Sequence, residues 1–277
     1  MSGPLGSSQF MYSSGSSDFY EYQIEQSCRF DFSSNSYLFK SSIGTATSLK
    51  KGTWSYWFKL HGRLSTGQGN ITTNPEHVHF AAGTTGGAGG YMFYETQHNS
   101  THYMKLNAGN MHNLDAGRSS GRFADPTSWY HQVIRFDSTE STQSDRLRFY
   151  INGTEIAGFD KTNVSENEDL IQWNVNNFII GAKQPAGHAV DGTDMYFAEF
   201  IWVDGTAYAP TQFGETKNGV WIPKDPTGTT FGNNGFHLKF QDASDLGNDS
   251  SGNDNDFASN GLGTDHQSLD TPTNGTG

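Results

Sequence analysis

The chain has 277 residues and a formal charge of −12, from 29 acidic against 17 basic side chains; 33% of it is hydrophobic and 14% aromatic. That charge excludes a protein held to nucleic acid or to an anionic membrane by long-range attraction, and no run approaches the ~18 apolar residues of a membrane span. A single cysteine, Cys28, excludes an intrachain disulfide framework and a cysteine-based zinc site.

Few aliphatic residues beside 20 Phe, 12 Tyr and 6 Trp suit half-buried β surfaces, and 33 Gly supply turns rather than helices. Residues 1–26 are rich in Ser and Gly but carry Phe10, Tyr12, Phe19 and Tyr20, which leaves two readings, an arm that docks on a neighbour or a frayed terminus. Nothing there has the basic start and apolar core of a signal peptide, which gives the expectation of synthesis in a cytoplasm. Cys28 alternates with Phe30 and Phe32, the pattern of a buried thiol. In "WSYWFKL", Trp54, Tyr56, Phe58 and Leu60 alternate with Ser55, Trp57 and Lys59. "GYMFYET" and "HYMKLNA" read as a hairpin. "RLRFYINGTEI" sets Leu147, Phe149 and Ile151 against Arg146, Arg148 and Tyr150, and Asn152-Gly153 predicts a type I′ turn. "NNFIIGA", "DMYFAEFIWVDG" and "GFHLKF" add strands. The run from Met195 to Val203 is apolar on both faces and belongs in the middle of a sheet. "APTQFGE" predicts one short helical turn, opened by Pro210 and ended by Gly214. The whole predicts an all-β, antiparallel two-sheet sandwich or jelly roll over 27–240. Residues 241–277 hold seven Asp and no Lys or Arg, and read either as a disordered tail or as an acidic segment that wraps the sandwich, the latter being the expectation taken.

Three stretches resemble a known family. "SWYHQVIRFDSTESTQSDRLRFYINGTEI" is similar to the central hairpin of laminin G-like, concanavalin A-like lectin/glucanase domains, with Trp129, His131, Asp137, Tyr150, Asn152 and Gly153 at the matching places. "DMYFAEFIWVDGTAYAPTQFGE" resembles the following family strand. "GVWIPKDPTGTTFGNNGFHLKFQDASDLGNDSSGNDNDF" and the opening "SGPLGSSQFMY" are similar to segments of such domains in tailed-phage virion proteins. Longer relatives continue beyond the "DTPTN" segment, so this chain reads as a stand-alone module. The resemblance implies a concanavalin A-like β-sandwich, made in a bacterial host and located in the virion. Its implied partners are capsid or tail proteins, a host cell-surface glycan, and copies of itself, a trimer matching particle symmetry.

Catalysis is not expected. The family's glucanases carry Glu-x-Asp-x-x-Glu on one strand, and this chain has no such triplet; Glu166, Glu168 and Asp169 lie in a polar loop with the wrong spacing. Serine-hydrolase elbows, His-Glu-x-x-His and phosphate loops are also absent. His77 and His79 alternate in "EHVHF" and read as a surface pair, and His131 as a partly buried hydrogen-bonding residue. Carbohydrate recognition needs exposed rings, for which Trp57, Tyr94, Tyr103 and Trp173 are the candidates. "DLGNDSSGNDNDF" leaves two readings open: calcium held by Asp245, Asp249, Asn253, Asp254 and Asp256, or an Asx-rich turn with Gly252 at positive φ. The functional expectation is a non-enzymatic tail fibre or tail-tip adhesin; a head decoration protein is the alternative and a glycoside hydrolase a weaker one.

Overall fold

The computed structural model describes residues 19–41, 44–61, 76–82, 91–98, 101–108, 111–115, 125, 127–156, 164–169, 177–182 and 192–273, with only the backbone at 76, 91–98, 101–108 and 111–115. One antiparallel sheet runs in the order β10 (Thr154–Glu155), β9 (Leu147–Ile151), β8 (Tyr130–Asp137), β3 (Lys51–Leu60), β12 (Met195–Asp204), β1 (Ser27–Phe30), β17 (Gln267–Ser268). In this sheet A, β15 (Phe236–Leu238) also pairs with β12. Sheet B runs β16 (Ala258–Asn260), β2 (Tyr37–Lys40), β11 (Phe178–Ile180), β4 (Glu76–Ala82), β5 (Tyr91–His98), β6 (Thr101–Ala108), β7 (Met111–Asp115). A separate ribbon joins β13 (Gly214–Lys217) to β14 (Val220–Pro223). Among the described residues there is no α-helix, only short 3-10 turns such as Pro210–Gln212. The described residues form an all-β sandwich of two antiparallel sheets.

The period-two pattern places the core. Trp54, Tyr56, Phe58 and Leu60 of β3 join Cys28, Phe30, Phe197, Phe200 and Phe236 between the sheets. Trp54 stacks on Phe80 at 4.0 Å and lies 4.8 Å from Trp202. Gly52 leaves room for that pair, since a Cβ there would stand 2.1 Å from the Trp202 ring. The outer face of sheet A is covered as well. Val133, Ile201, Val203 and Phe213 form one apolar cluster there, and Ile24, Trp57 and Ala198 another, with Tyr22, Trp129 and Trp221 packed against it. This third layer comes from residues 19–26 and from the 205–232 segment that carries the β13–β14 ribbon. Strand β12 is therefore buried on both sides, as its composition predicts.

Polar chemistry fastens the ends. Asn152 (φ 46°) and Gly153 (φ 74°) turn β9 into β10. Ile24 N donates to Thr273 Oγ1 and the Thr273 hydroxyl donates to Ile24 O, both at 3.0 Å, so residues near the two ends of the chain lie side by side. β16 and β17 add residues of the C-terminal segment to sheets B and A. Asp-x-Ser/Thr turns recur at Asp31, Asp125, Asp137, Asp225, Asp242 and Asp249. In each, the carboxylate accepts the backbone N–H and the hydroxyl of the residue two positions on. The hydroxyl bond leads the causes that hold Asp31, Asp125, Asp225 and Asp242 below the usual carboxylate range. Much of the acidity thus serves turn geometry.

Trp54→Ala should lower the unfolding free energy by about 3–5 kcal/mol, read by urea denaturation, because it empties the centre of the aromatic core.

Candidate functional site

Strand β12 carries a bulge where its register with β3 shifts between Ala198 and Ile201. Ala198 and Glu199 both lie on the outer side, and Glu199 takes φ 49°, a left-handed conformation costing about 1–3 kcal/mol for a non-glycine residue. The bulge re-aims a carboxylate that a regular strand would have sent into the core. Glu199 is 6% exposed, and Oε2 is bonded to Nε2 of His237 on β15. The Tyr22 hydroxyl faces the same carboxylate; burial, reinforced by that charge, raises the phenol well above its ordinary pKa.

Beside Glu199 lies a cavity of about 10 Å³, walled in part by Tyr22, Ser55, Trp57, His131 and Lys224. That is room for one water and no more. Ser55 Oγ stands 2.9 Å from His131 Nε2, a pairing that invites comparison with a serine nucleophile and its base. The proton count removes the comparison. Trp221 Nε1–H, which can only donate, is 3.0 Å from His131 Nδ1. Nδ1 is therefore the acceptor, and Nε2 carries the proton and gives it to Ser55. A base for Ser55 would need Nε2 bare. Burial also holds His131 neutral, with its pKa lowered to about 3, and Trp57 stacks on the ring at 4.7 Å. The group is a polar pin between sheet A and the outer layer.

A second group lies further along the outer face. Tyr196 of β12 pairs with Lys59 of β3, and Trp129 stands immediately before β8. All three side chains are half-buried, alternating with core residues such as Phe58, Leu60 and Phe197. The Trp129 and Tyr196 rings are 6.3 Å apart, and His61 meets Tyr196 edge-on at 5.2 Å. Asp270 orients the row: one oxygen accepts from Trp129 Nε1 at 3.0 Å, the other pairs with Lys59 Nζ at 2.7 Å.

The candidates read from the sequence are distributed unevenly. Trp57 is a correction: at 4% exposure it walls the water-sized cavity and offers no platform. Tyr94 pairs with Lys105 and Tyr103 with Thr96, so the two are diagonal neighbours on β5 and β6. Trp173 lies outside the described residues. His77 and His79, read as a surface pair, are both buried; His79 lies among the core rings of Tyr56, Phe58 and Phe197 and meets the Tyr56 hydroxyl at 2.9 Å. His131 is fully rather than partly buried. Glu166 and Asp169 hold Arg146 and Lys50, and Glu168 caps Ser165 N.

The 245–257 stretch closes one end of the sandwich. Asp249 is 8% exposed and forms an isolated bridge with Leu238. Its oxygens accept from the backbone N–H groups of His237, Ser251 and Asn255 and from the Ser251 hydroxyl. Asp256 accepts from Asp249 N, and the Asn253 and Asn255 amides donate to carbonyls of residues 232–235. Gly252 takes φ 90° and Asp254 φ 56°. Leu246 and Phe257 anchor the segment in the core. Among the described residues, no group of three or more His, Cys, Asp or Glu is placed to hold a metal. Of the oxygens proposed for calcium, both of Asp249 and Oδ1 of Asp256 accept from backbone N–H groups.

Sequence reasoning passed over Glu199, His237, Tyr22, Ser55, Trp221 and Tyr196. One signal was available: a carboxylate inside the run "MYFAEFIWV", which a doubly buried strand cannot hold without a partner.

No family model matches the chain, and no curated protein matches it in sequence. Solved structures are similar in outline. A native heptameric SAP-like pentraxin from Limulus polyphemus shows 13% identity and a TM-score of 0.38, over 69% of this chain and 81% of that one. Sheep galectin-11, in complex with glycerol, shows 14% identity and a TM-score of 0.31, over 60% and 96%. The botulinum neurotoxin type G receptor binding domain shows 10% identity and a TM-score of 0.33; the match takes in 61% of this chain and only 39% of that one. Likeness at this level carries no functional argument.

Two outcomes are expected. The folded pKa of His131 lies below the ~6.5 of an unfolded histidine, so between those values the unfolded chain binds the extra proton and stability falls as pH falls. His131→Gln should therefore shrink the difference in unfolding free energy between pH 6.5 and 4.5 by about 2 kcal/mol, measured by urea titration. Asp249→Ala should lower Tm by the same amount in EDTA and in millimolar calcium, since the carboxylate is bonded to amides; a loss seen only with calcium would restore the metal reading.

Proposed function

We propose that this chain is a non-enzymatic recognition module of a tailed-phage virion, a tail fibre or tail-tip adhesin that binds host surface glycan. One observation carries the binding part. The arrangement that most invites catalysis is sealed in a water-sized cavity with its histidine in the wrong tautomer, while Tyr196 and Trp129 stand half-exposed and 6.3 Å apart on the same sheet face. Aromatic rings flanked by a few oriented polar groups are what a pyranose needs: ring faces for its C–H surface and donors for its hydroxyls. Asp270 and Lys59 hold the row in place, which limits the entropy lost on binding. The virion assignment is supported by the resemblance of "GVWIPKDPTGTTFGNNGFHLKFQDASDLGNDSSGNDNDF" and "SGPLGSSQFMY" to phage proteins.

Trp129→Ala and Tyr196→Ala should each weaken binding to host cells or purified host polysaccharide about tenfold, ~1.4 kcal/mol, with the thermal transition retained. Undiminished binding in both variants would remove the site. Copy number per particle against the major capsid protein addresses location: a few to a few tens fits an adhesin, whereas hundreds would make this the head decoration protein.

A further inference from the structure

The row on the outer face of sheet A extends one strand beyond Tyr196. Arg29 of β1 is its direct cross-strand partner. Cys28 and Phe30 on either side point into the core, so Arg29 projects outward beside the tyrosine. The order across the sheet is Arg29, Tyr196, Lys59, then Trp129, cations alternating with rings.

Arg29 differs from the arginines around it. Arg135, Arg146 and Arg148 each hold carboxylates and backbone carbonyls or a second carboxylate. Arg29 makes no hydrogen bond and no ion pair among the described residues, and its Nε is buried without a partner. A buried Nε–H with no acceptor in a half-buried guanidinium is costly to leave so, because burial has removed its hydration. The nearby acids form no hydrogen bond or ion pair with it, although the Arg29 charge is among the causes that lower the Asp31 carboxyl. Asp31 Oδ1 accepts from the Ser33 N–H and hydroxyl, and Asp270 accepts from Trp129 at one oxygen and pairs with Lys59 at the other. His61 gives its Nε2–H to the Phe30 carbonyl, which fixes the ring that abuts Tyr196. The Tyr196 hydroxyl likewise has no hydrogen-bond partner among the described residues. A guanidinium without a hydrogen bond among the described residues thus stands next to a phenol in the same state, on a row whose other cation is paired with Asp270.

We propose that Arg29 is the specificity-determining residue of this surface and that its ligand is a carboxylate-bearing sugar, a uronic or nonulosonic acid unit within a host polysaccharide. A guanidinium takes a carboxylate through two parallel N–H···O bonds, a geometry that a neutral hydroxyl cannot match. The Tyr196 hydroxyl and ring then receive the sugar carrying that carboxylate, and Trp129 receives its neighbour. In a chain of charge −12, an anionic polymer is repelled at long range, so one dedicated fork gives selectivity for a carboxylated unit rather than attraction to polyanions in general. This inference rests on the glycan-binding reading above and deepens it.

The test compares polysialic acid and polygalacturonic acid oligosaccharides with their carboxyl-reduced forms, by calorimetry on the full chain. The wild-type protein should bind at least one carboxylated probe about tenfold or more tightly than its reduced form. Arg29→Ala should erase that preference and leave the affinity for the reduced form unchanged, with Arg29→Lys keeping part of it. Trp129→Ala should weaken both forms together. A preference that survives Arg29→Ala, or a wild-type protein that binds the reduced forms equally well or neither acid, overturns the inference. If Trp129→Ala still weakens binding to a neutral glycan in that case, the glycan-binding reading stands without it. A circular-dichroism melt of Arg29→Ala guards against misfolding, and Arg29→Lys supplies the second variant if it fails.

Discussion

Strand β12 is covered on both faces, by the core on one side and by the outer layer on the other, and it has neighbours along both edges. Along the enclosed part of the strand, from Phe197 to Val203, side chains are cut off from bulk water, so each residue there must be apolar or find a partner. Glu199 is the residue that breaks the pattern. The bulge turns it outward and His237 of β15 receives it, which links the central strand to the C-terminal part of the chain. His237 in turn donates its backbone N–H to Asp249, so the bulge, β15 and the closing turn are joined through one residue.

The same enclosure explains where the acidic side chains went. A sandwich with few lysines cannot neutralise its acids pairwise. Instead, carboxylates are repeatedly folded back on their own backbone as Asp-x-Ser/Thr turns, where N–H and hydroxyl donors favour the charged form. The 245–257 stretch is the densest case. Its acidity looks like an invitation to a cation, yet the oxygens of Asp249 are taken up in holding the loop against β15.

The two polar groups on the outer face differ in access, and access decides what they can do. Ser55 and His131 lie under Trp57 and Trp221 with room for a single water, and the tryptophan N–H dictates the histidine tautomer. Arg29, Tyr196 and Trp129 lie where the cover thins, and each is only half-buried. A closed polar group contributes order to the fold; an open one, fixed from behind by Asp270, offers a preorganised surface.

Local pattern decided the strands by itself. Trp54, Tyr56, Phe58 and Leu60 could only face the core with that spacing, Asn152-Gly153 could only turn as it does, and the apolar run of β12 could only be central. These features depend on neighbours within a few residues, and periodicity reports them directly. The sites needed more. Trp57 alternates like a surface ring and is buried because residues 19–26 and the β13–β14 ribbon close over it. His79 is buried for a different reason: its ring packs between the sheets against Tyr56, Phe58 and Phe197. Arg29, Tyr196, Lys59 and Trp129 are scattered over 168 positions of the chain and become one row only through strand pairing. Which face of a sheet a second layer covers is decided by long-range packing, and no local spacing encodes it.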